Sequence, residues 1–234
     1  MGKHANIFAV MGFVFVLISG CDKNDNSTSP AGTAPVHDSS AASRFVGVNY
    51  IELDKIYRIS KFRSTEGHDY SDVFESCRSM KHYFNPKNEI DWSAIKIFSP
   101  VTGTVSRIFQ EWAGTQIQIQ SKSDPAYFII IFHINMSTSL SVGDTVSAGQ
   151  MLGTHIGSQT MSDIAVGRSS QEGWKLFSYF DVITDSLLET YRRRGIASRD
   201  TMIISKSARD ADTVRCSGEM FMNGGRLENW IYLQ

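Results

Sequence analysis

Apolar and polar residues alternate in the middle of the chain in the way that is typical of β-strands. In residues 116–120 glutamine and isoleucine take turns, which places the isoleucines on one face of a strand and the glutamines on the other. Residues 127–134 are almost wholly apolar, so we expect this strand to be buried on both faces. Shorter apolar runs predict further strands within residues 45–59, 95–98, 104–109, 162–166, 202–204 and 230–233.

The spacing of apolar residues changes to a helical period in the C-terminal part of the chain. This spacing predicts one amphipathic helix over residues 176–194. Gly195 is a suitable helix stop, and the arginines at 192–194 complement the carbonyl end of the helix dipole. The pattern as a whole therefore predicts a mainly β domain with a C-terminal helix.

The N-terminal segment differs in composition from the rest of the chain. A basic start with Lys3 precedes an apolar stretch at residues 7–18, which is shorter than the roughly 20 residues that a helix needs to cross a bilayer. We therefore interpret residues 1–20 as a signal peptide. Residues 21–43 are rich in small and polar residues and predict a flexible tether, so the folded domain is expected at residues 44–234.

The end of the predicted signal peptide carries a short motif. Residues 17–20 read Leu-Ile-Ser-Gly and directly precede Cys21. This motif resembles the lipobox of bacterial lipoproteins, in which the cysteine thiol is lipidated and becomes the new N-terminus. The resemblance implies a membrane-anchored protein of the bacterial cell envelope, held through lipidated Cys21 and facing the periplasm or the exterior. A plain secretory signal is the alternative.

Net charge and cysteine content constrain the partner class and the covalent cross-links. The formal net charge is -1, so no basic stripe points to nucleic acid as a partner. Besides Cys21, the chain has Cys77 and Cys216, and two cysteines in an oxidising compartment indicate one disulfide that closes a long loop. Two free buried thiols are the alternative. A cysteine zinc site is less expected, because neither residue has a second cysteine nearby.

Four motifs follow one another along the domain. They are His68-x-x-x-Asp72, a Ser-Pro-x-x-Gly turn at residues 99–103, His133 near the end of an apolar strand, and a glycine-rich hairpin at residues 143–153. This order resembles the lysostaphin/LytM-type zinc endopeptidases, which cut peptide cross-links of bacterial peptidoglycan. The resemblance implies a LytM-like antiparallel β-sheet folded on itself, a duplicated hybrid motif, with the C-terminal helix packed outside.

The resemblance also implies roles for these residues. His68 and Asp72 would be zinc ligands, and imidazole and carboxylate groups are both suitable zinc donors. The metal would lower the pKa of a bound water, which would attack a peptide carbonyl. His133 would donate or accept a hydrogen bond at that water or at the developing oxyanion.

The chain departs from the family at the third zinc ligand. The family takes this ligand from a His-x-His motif on the strand after the glycine hairpin, where this chain has Asp163 and Ala165. A methyl group cannot bind zinc, so another donor would have to complete the set. The candidates are Asp163 itself, His155, and His82 within an insertion between the first two motifs.

Three hypotheses follow from this departure. The leading one is a degenerate LytM-like module that binds peptidoglycan or an envelope protein without hydrolysis. The second is an active metal-dependent peptidoglycan endopeptidase with a non-standard third ligand. The third is a structural envelope lipoprotein that has no metal and no activity.

Overall fold

Antiparallel strands form most of residues 42–234, the part of the chain that the computed structural model describes. The predicted signal peptide, Cys21 and nearly all of the predicted tether lie outside the described residues. None of the helices in the described part has the length and hydropathy of a membrane span. The prediction of a mainly antiparallel β fold with helical structure near the C-terminus is confirmed.

One large sheet contains eleven of the thirteen strands in the described part. Its main path runs β13-β1-β2-β9-β6-β5-β4-β7, with β10 added to β9 and with β8 paired to both β3 and β6. A separate ribbon pairs β11 with β12. The strands are β1 (Ile56–Ser60), β2 (His82–Pro86), β3 (Lys96–Phe98), β4 (Gly103–Glu111), β5 (Gly114–Ser121), β6 (Tyr127–Met136), β7 (Thr145–Val146), β8 (Met151–His155), β9 (Ser162–Ser170), β10 (Gly173–Phe177), β11 (Cys216–Ser217), β12 (Met220–Phe221) and β13 (Trp230–Tyr232).

The central strands follow the predicted hydrophobic pattern. In β5, Ile117 and Ile119 are fully buried in the main core, whereas the glutamines that alternate with them are partly exposed. Strand β6 is buried on both faces, as predicted. One face supplies residues such as Ile129 to the main core, and the other supplies Ile130 and Phe132 to a small second cluster.

The predicted single helix over residues 176–194 is wrong, because the chain breaks it twice. Its first residues belong to β10, and the remainder forms two helices, α1 (Tyr179–Val182) and α2 (Asp185–Arg192). Ser178 and Thr184 each begin a new helix by accepting a backbone N–H bond on the side-chain oxygen, and such N-caps compete with helix continuation. A third helix, α3 (Lys206–Ala211), follows near the C-terminus.

Residues 45–59, predicted to hold one or two strands, contain most of β1 (Ile56–Ser60), whereas the strand predicted at residues 202–204 does not form. Residues 202–204 contain the end of a 3₁₀ helix (Asp200–Met202) and a single bridge from Ile203 to Phe62, so no strand forms there. Two further 3₁₀ turns are Leu53–Lys55 and Trp92–Ala94.

A disulfide joins Cys77 to Cys216, the two cysteines that the sequence offers for such a bond. The two Cα atoms lie 5.6 Å apart, and 139 positions separate the residues along the chain. Cys77 lies in the irregular segment that precedes β2, whereas Cys216 begins the β11–β12 ribbon. The covalent bond therefore holds the ribbon against the segment that carries His68.

Candidate functional site

Three neighbouring strands bring polar residues together on the sheet face that carries Ile130 and Phe132. Strand β9 lies between β2 and β6, and Tyr83 of β2 pairs with Asp163 of β9. Because side chains two positions apart share a face of a strand, Lys81 lies on the same face as Tyr83, next to Asp163. The ladder therefore places a cation and a carboxylate side by side beneath the second cluster.

His133 reaches this face through an irregularity in β6. Phe132 and His133 together lie opposite the single residue Gln116 of β5, which is the arrangement of a β-bulge. The backbone of His133 is left-handed, with φ 60°, a conformation that costs about 1–2 kcal/mol for a residue with a side chain. Neighbours in a regular strand point to opposite faces, but the bulge turns the imidazole of His133 to the face that carries Asp163.

Gly114 makes room for this bulge at the start of β5. Its φ is +84°, and a Cβ atom added there would lie 2.9 Å from the carbonyl oxygen of Ile134 and 3.2 Å from the carbonyl carbon of His133. The preceding residue, Ala113, accepts a hydrogen bond on its carbonyl oxygen from Nδ1 of His133 at 2.9 Å. The β4–β5 turn therefore supports the imidazole directly.

The Gly114→Ala variant is expected to lose clearly more stability than Gly143→Ala. Both glycines have positive φ, but an added Cβ at Gly143 meets nothing within 4 Å, so Gly143→Ala should cost only about 1–2 kcal/mol for the backbone. At Gly114 the overlap with β6 adds to that cost. Urea unfolding of both variants measures the difference, and equal losses would contradict the role given to the turn.

The polar residues form a continuous chain of contacts, which we call the Lys81 cluster: Lys81, Asp163, His133 and His68. Nζ of Lys81 lies 2.5 Å from Oδ2 of Asp163 and 3.1 Å from Nε2 of His68. Oδ1 of Asp163 lies 3.2 Å from Nε2 of His133. Lys81 is 2% exposed and Asp163 is fully buried, so this ion pair has little contact with solvent.

Aromatic rings enclose the ammonium group on its other sides. Nζ of Lys81 lies 4.2 Å from the ring centre of Phe132, 4.8 Å from that of Tyr70 and 5.1 Å from that of Tyr83. Ring faces attract cations, and the attraction strengthens where water is excluded. The surroundings of Lys81 thus favour a charged ammonium group over a neutral amine.

The pKa shifts agree with a fixed cation in the cluster. Burial alone would lower the pKa of Lys81, but the Asp163 carboxylate outweighs it and the pKa is raised above its usual value. Burial and then the Lys81 charge lower the pKa of His68. His68 is therefore neutral at pH 7: its Nδ1 faces the carbonyl oxygen of Asp69 at 3.0 Å as a donor, and its Nε2 accepts from Lys81. Burial raises the pKa of Tyr70 to about 12, so Tyr70 keeps its proton.

Asp72, predicted as the partner of His68 in a metal site, lies outside the Lys81 cluster. Its Oδ1 accepts the backbone N–H groups of Phe74 and Glu75, and its Oδ2 accepts the backbone N–H of Leu176 in β10. The carboxylate therefore ties a surface turn to an edge strand. His-x-x-x-Asp spacing by itself did not distinguish this structural use from a metal ligand.

His82 and His155 also lie apart from the cluster. Both are fully buried. Nδ1 of His82 faces the carbonyl oxygen of Ser60 at 2.7 Å, and Nε2 faces the hydroxyl of Ser178 at 2.8 Å. Nδ1 of His155 accepts the backbone N–H of Gly157. Both imidazoles thus hold neighbouring backbone segments together inside the domain.

Stability is expected to fall as the pH drops from about 6.5 to about 5, before most carboxylates titrate. Burial lowers the pKa of His82 and of His155 to about 4 in the folded state. In the unfolded chain the imidazole pKa is about 6.5, so the unfolded chain binds more protons than the folded protein in this window. The free energy of unfolding therefore decreases as the pH falls. Urea unfolding at pH 7 and pH 5 tests this, and a His82→Phe variant should show a smaller difference. Equal stability of the wild type at both pH values would contradict it.

The donors present do not fit a zinc ion. Within residues 42–234 no group of three His, Cys, Asp or Glu side chains is arranged to hold a metal. His68 and Asp163 do converge on one point, but the Lys81 ammonium occupies it. An ammonium group has three donors and no acceptor, so it competes with a metal for these two ligands. Three members of the cluster, His68, His133 and Asp163, were predicted as site residues from their motifs, whereas Lys81, the residue at the centre, was not.

Comparisons with known proteins give similar folds at low sequence identity. No protein-family model and no curated protein matches the sequence. Among solved structures, the chain is similar to LytM of Ruminococcus gnavus ATCC 29149, a protein assigned as a glycyl-glycine endopeptidase, with 13% identity over 43% of each chain and a TM-score of 0.35. It is similar to lysostaphin with 13% identity over 56% of this chain and 49% of that one, at a TM-score of 0.34.

A third similar structure is that of the SpoIIQ-SpoIIIAH pore forming complex. Identity is 12% over 63% of this chain and 98% of that chain, and the TM-score is 0.43. The matches to LytM and lysostaphin span less than half the length of those proteins. Two of these similar structures are proteins of the LytM/lysostaphin type.

Proposed function

We propose that this protein is a lipoprotein of the bacterial envelope whose LytM-like domain binds peptidoglycan peptides and does not hydrolyse them with zinc. The observation that supports this most is the ammonium group of Lys81 at the point where His68 and Asp163 converge. A permanent cation of the chain itself stands where a metal would have to bind. The domain thus has a cluster of polar side chains at this point, but no free set of metal donors among the described residues.

Electrostatics opposes zinc binding beside this cation. A divalent ion about 3 Å from an ammonium group is repelled by on the order of 10 kcal/mol at an effective dielectric constant of about 20. Lys81 has no open route to solvent, since it is 2% exposed and enclosed by aromatic rings. Its raised pKa also opposes loss of the proton that would make the amine a ligand.

The rest of the cluster supports a role in binding. The imidazole of His68 is partly exposed and that of His133 has a small exposed fraction, so both rings border the surface above the buried ion pair. Lys81 and Asp163 fix these rings from below. A rigid, polar and partly aromatic floor of this kind suits recognition of an extended peptide. Lipidation of Cys21 would hold the domain close to the cell wall.

Sedimentation with purified peptidoglycan sacculi tests the proposal. We expect the full chain to sediment with sacculi, to release no soluble muropeptides, and to bind equally with and without a metal chelator. Release of fragments that a chelator stops and zinc restores would establish the active endopeptidase instead. Absence of binding to sacculi at any concentration below aggregation would also overturn the proposal.

A further inference from the structure

Trp112 is exposed at the edge of the Lys81 cluster. It lies in the turn between β4 and β5 with 80% of its surface in solvent, although an indole ring has a large apolar area that is normally buried. The ring centre is 6.3 Å from that of His133. The same turn supports His133 through the carbonyl of Ala113, so the position of Trp112 is defined relative to the cluster.

Glu111 lies next to Trp112 and faces the same imidazole. Its Oε2 is 3.6 Å from Nδ1 of His133, but that nitrogen already has the carbonyl of Ala113 at 2.9 Å. Within residues 42–234 Glu111 forms no ion pair with a lysine or an arginine. Burial raises the pKa of this carboxyl group. Glu111 is thus a largely buried acid without a lysine or arginine partner in the described residues.

A second acid borders the opposite end of the cluster. Glu219, in the β11–β12 ribbon, is 82% exposed and lies 3.6 Å from Nδ1 of His68. Three carboxylates therefore lie at the Lys81 cluster: the buried Asp163 pairs with Lys81 itself, and the other two face the imidazoles of the cluster. The two surface carboxylates without a lysine or arginine partner in the described part of the chain favour a cationic ligand over an anionic one.

We propose that this surface receives a primary ammonium group of a peptide, held between the Glu111 carboxylate and the face of Trp112. A carboxylate gives the ammonium a charge-assisted hydrogen bond, and an indole ring is the aromatic side chain that attracts cations most strongly. The inference rests on the proposed function and specifies which chemical group of the bound peptide is recognised. A neutral glycan could stack on Trp112 but would make no use of Glu111.

Calorimetric titration of the full chain with two peptides tests the inference. The first is N-acetyl-L-alanyl-D-isoglutaminyl-L-lysine amide, whose only charge is the side-chain ammonium group. The second is the same peptide with that amine acetylated. We expect the first to bind and acetylation to weaken binding at least about tenfold, which corresponds to about 1.4 kcal/mol.

Variants of the turn locate the contact. Trp112→Ala and Glu111→Gln should each weaken binding of the amine peptide about tenfold. Phe109→Ala should leave it unchanged, because Phe109 is an exposed aromatic residue of the same strand, with 48% of its surface in solvent, at a position we do not place in the contact. Circular dichroism confirms that each variant is folded.

The outcomes separate this inference from the proposed function. If both peptides bind equally, or if neither variant weakens binding, ammonium recognition is overturned while peptide binding stands. If neither peptide binds although sacculi do, the inference is overturned and the domain recognises another part of peptidoglycan. If neither the peptides nor sacculi bind, both proposals fail.

Discussion

Replacing Asp163 with alanine is expected to destabilise the protein by about 3–5 kcal/mol, because it leaves the Lys81 ammonium buried without its counter-charge. Asp163 is fully buried and contacts both Lys81 and His133. The substitution thus removes the attraction that outweighs the burial of the cation and releases the imidazole as well. Urea unfolding at pH 7, monitored by tryptophan fluorescence and circular dichroism, measures the loss.

Two further variants show whether the loss comes from the unpaired charge. The double variant Lys81→Met with Asp163→Leu removes both charges, so it should be considerably more stable than Asp163→Ala alone. Lys206→Met breaks an ion pair between side chains that are 55% and 41% exposed, and such pairs contribute at most about 1 kcal/mol. If Asp163→Ala cost no more than Lys206→Met, the buried pair would not organise the site.

Removing the disulfide should have an effect of similar size. It connects residues 139 positions apart, and the chain-entropy model gives about 4–5 kcal/mol for a loop of this length. The variant Cys77→Ser with Cys216→Ala is therefore expected to unfold at a much lower urea concentration than the oxidised wild type.

The reduced wild type is the matched control for the disulfide prediction. A thiol reductant should lower the stability of the wild type towards that of the double variant and leave the double variant unchanged. A stability loss below about 1 kcal/mol in the double variant would contradict the prediction. It would mean that noncovalent contacts hold the β11–β12 ribbon in place.

The strand pattern could be predicted from the sequence because period-two burial is a local property. The alternation in β5 and the two-faced burial of β6 are both observed. The C-terminal helix was predicted too long, since apolar spacing continues through Ser178 and Thr184 although their side chains begin new helices. Capping residues inside an apolar period are the signal that was overlooked.

The centre of the site depends on contacts between distant strands, which the sequence does not show. Lys81 precedes a histidine in an insertion and has the appearance of a surface residue, yet it is almost completely buried. An aspartate within the apolar residues of β9 was the available clue, because a buried carboxylate requires a cationic partner. The bulge that turns His133 towards Asp163 has no signature in β6 itself.

Zinc titration of the wild-type protein by calorimetry is the most direct test of the central claim, that the Lys81 ammonium occupies the point on which His68 and Asp163 converge. The account predicts no saturable zinc binding near pH 7, with identical traces for the wild type and the His68→Ala variant. Binding of one equivalent of zinc by the wild type, lost in His68→Ala, would contradict it.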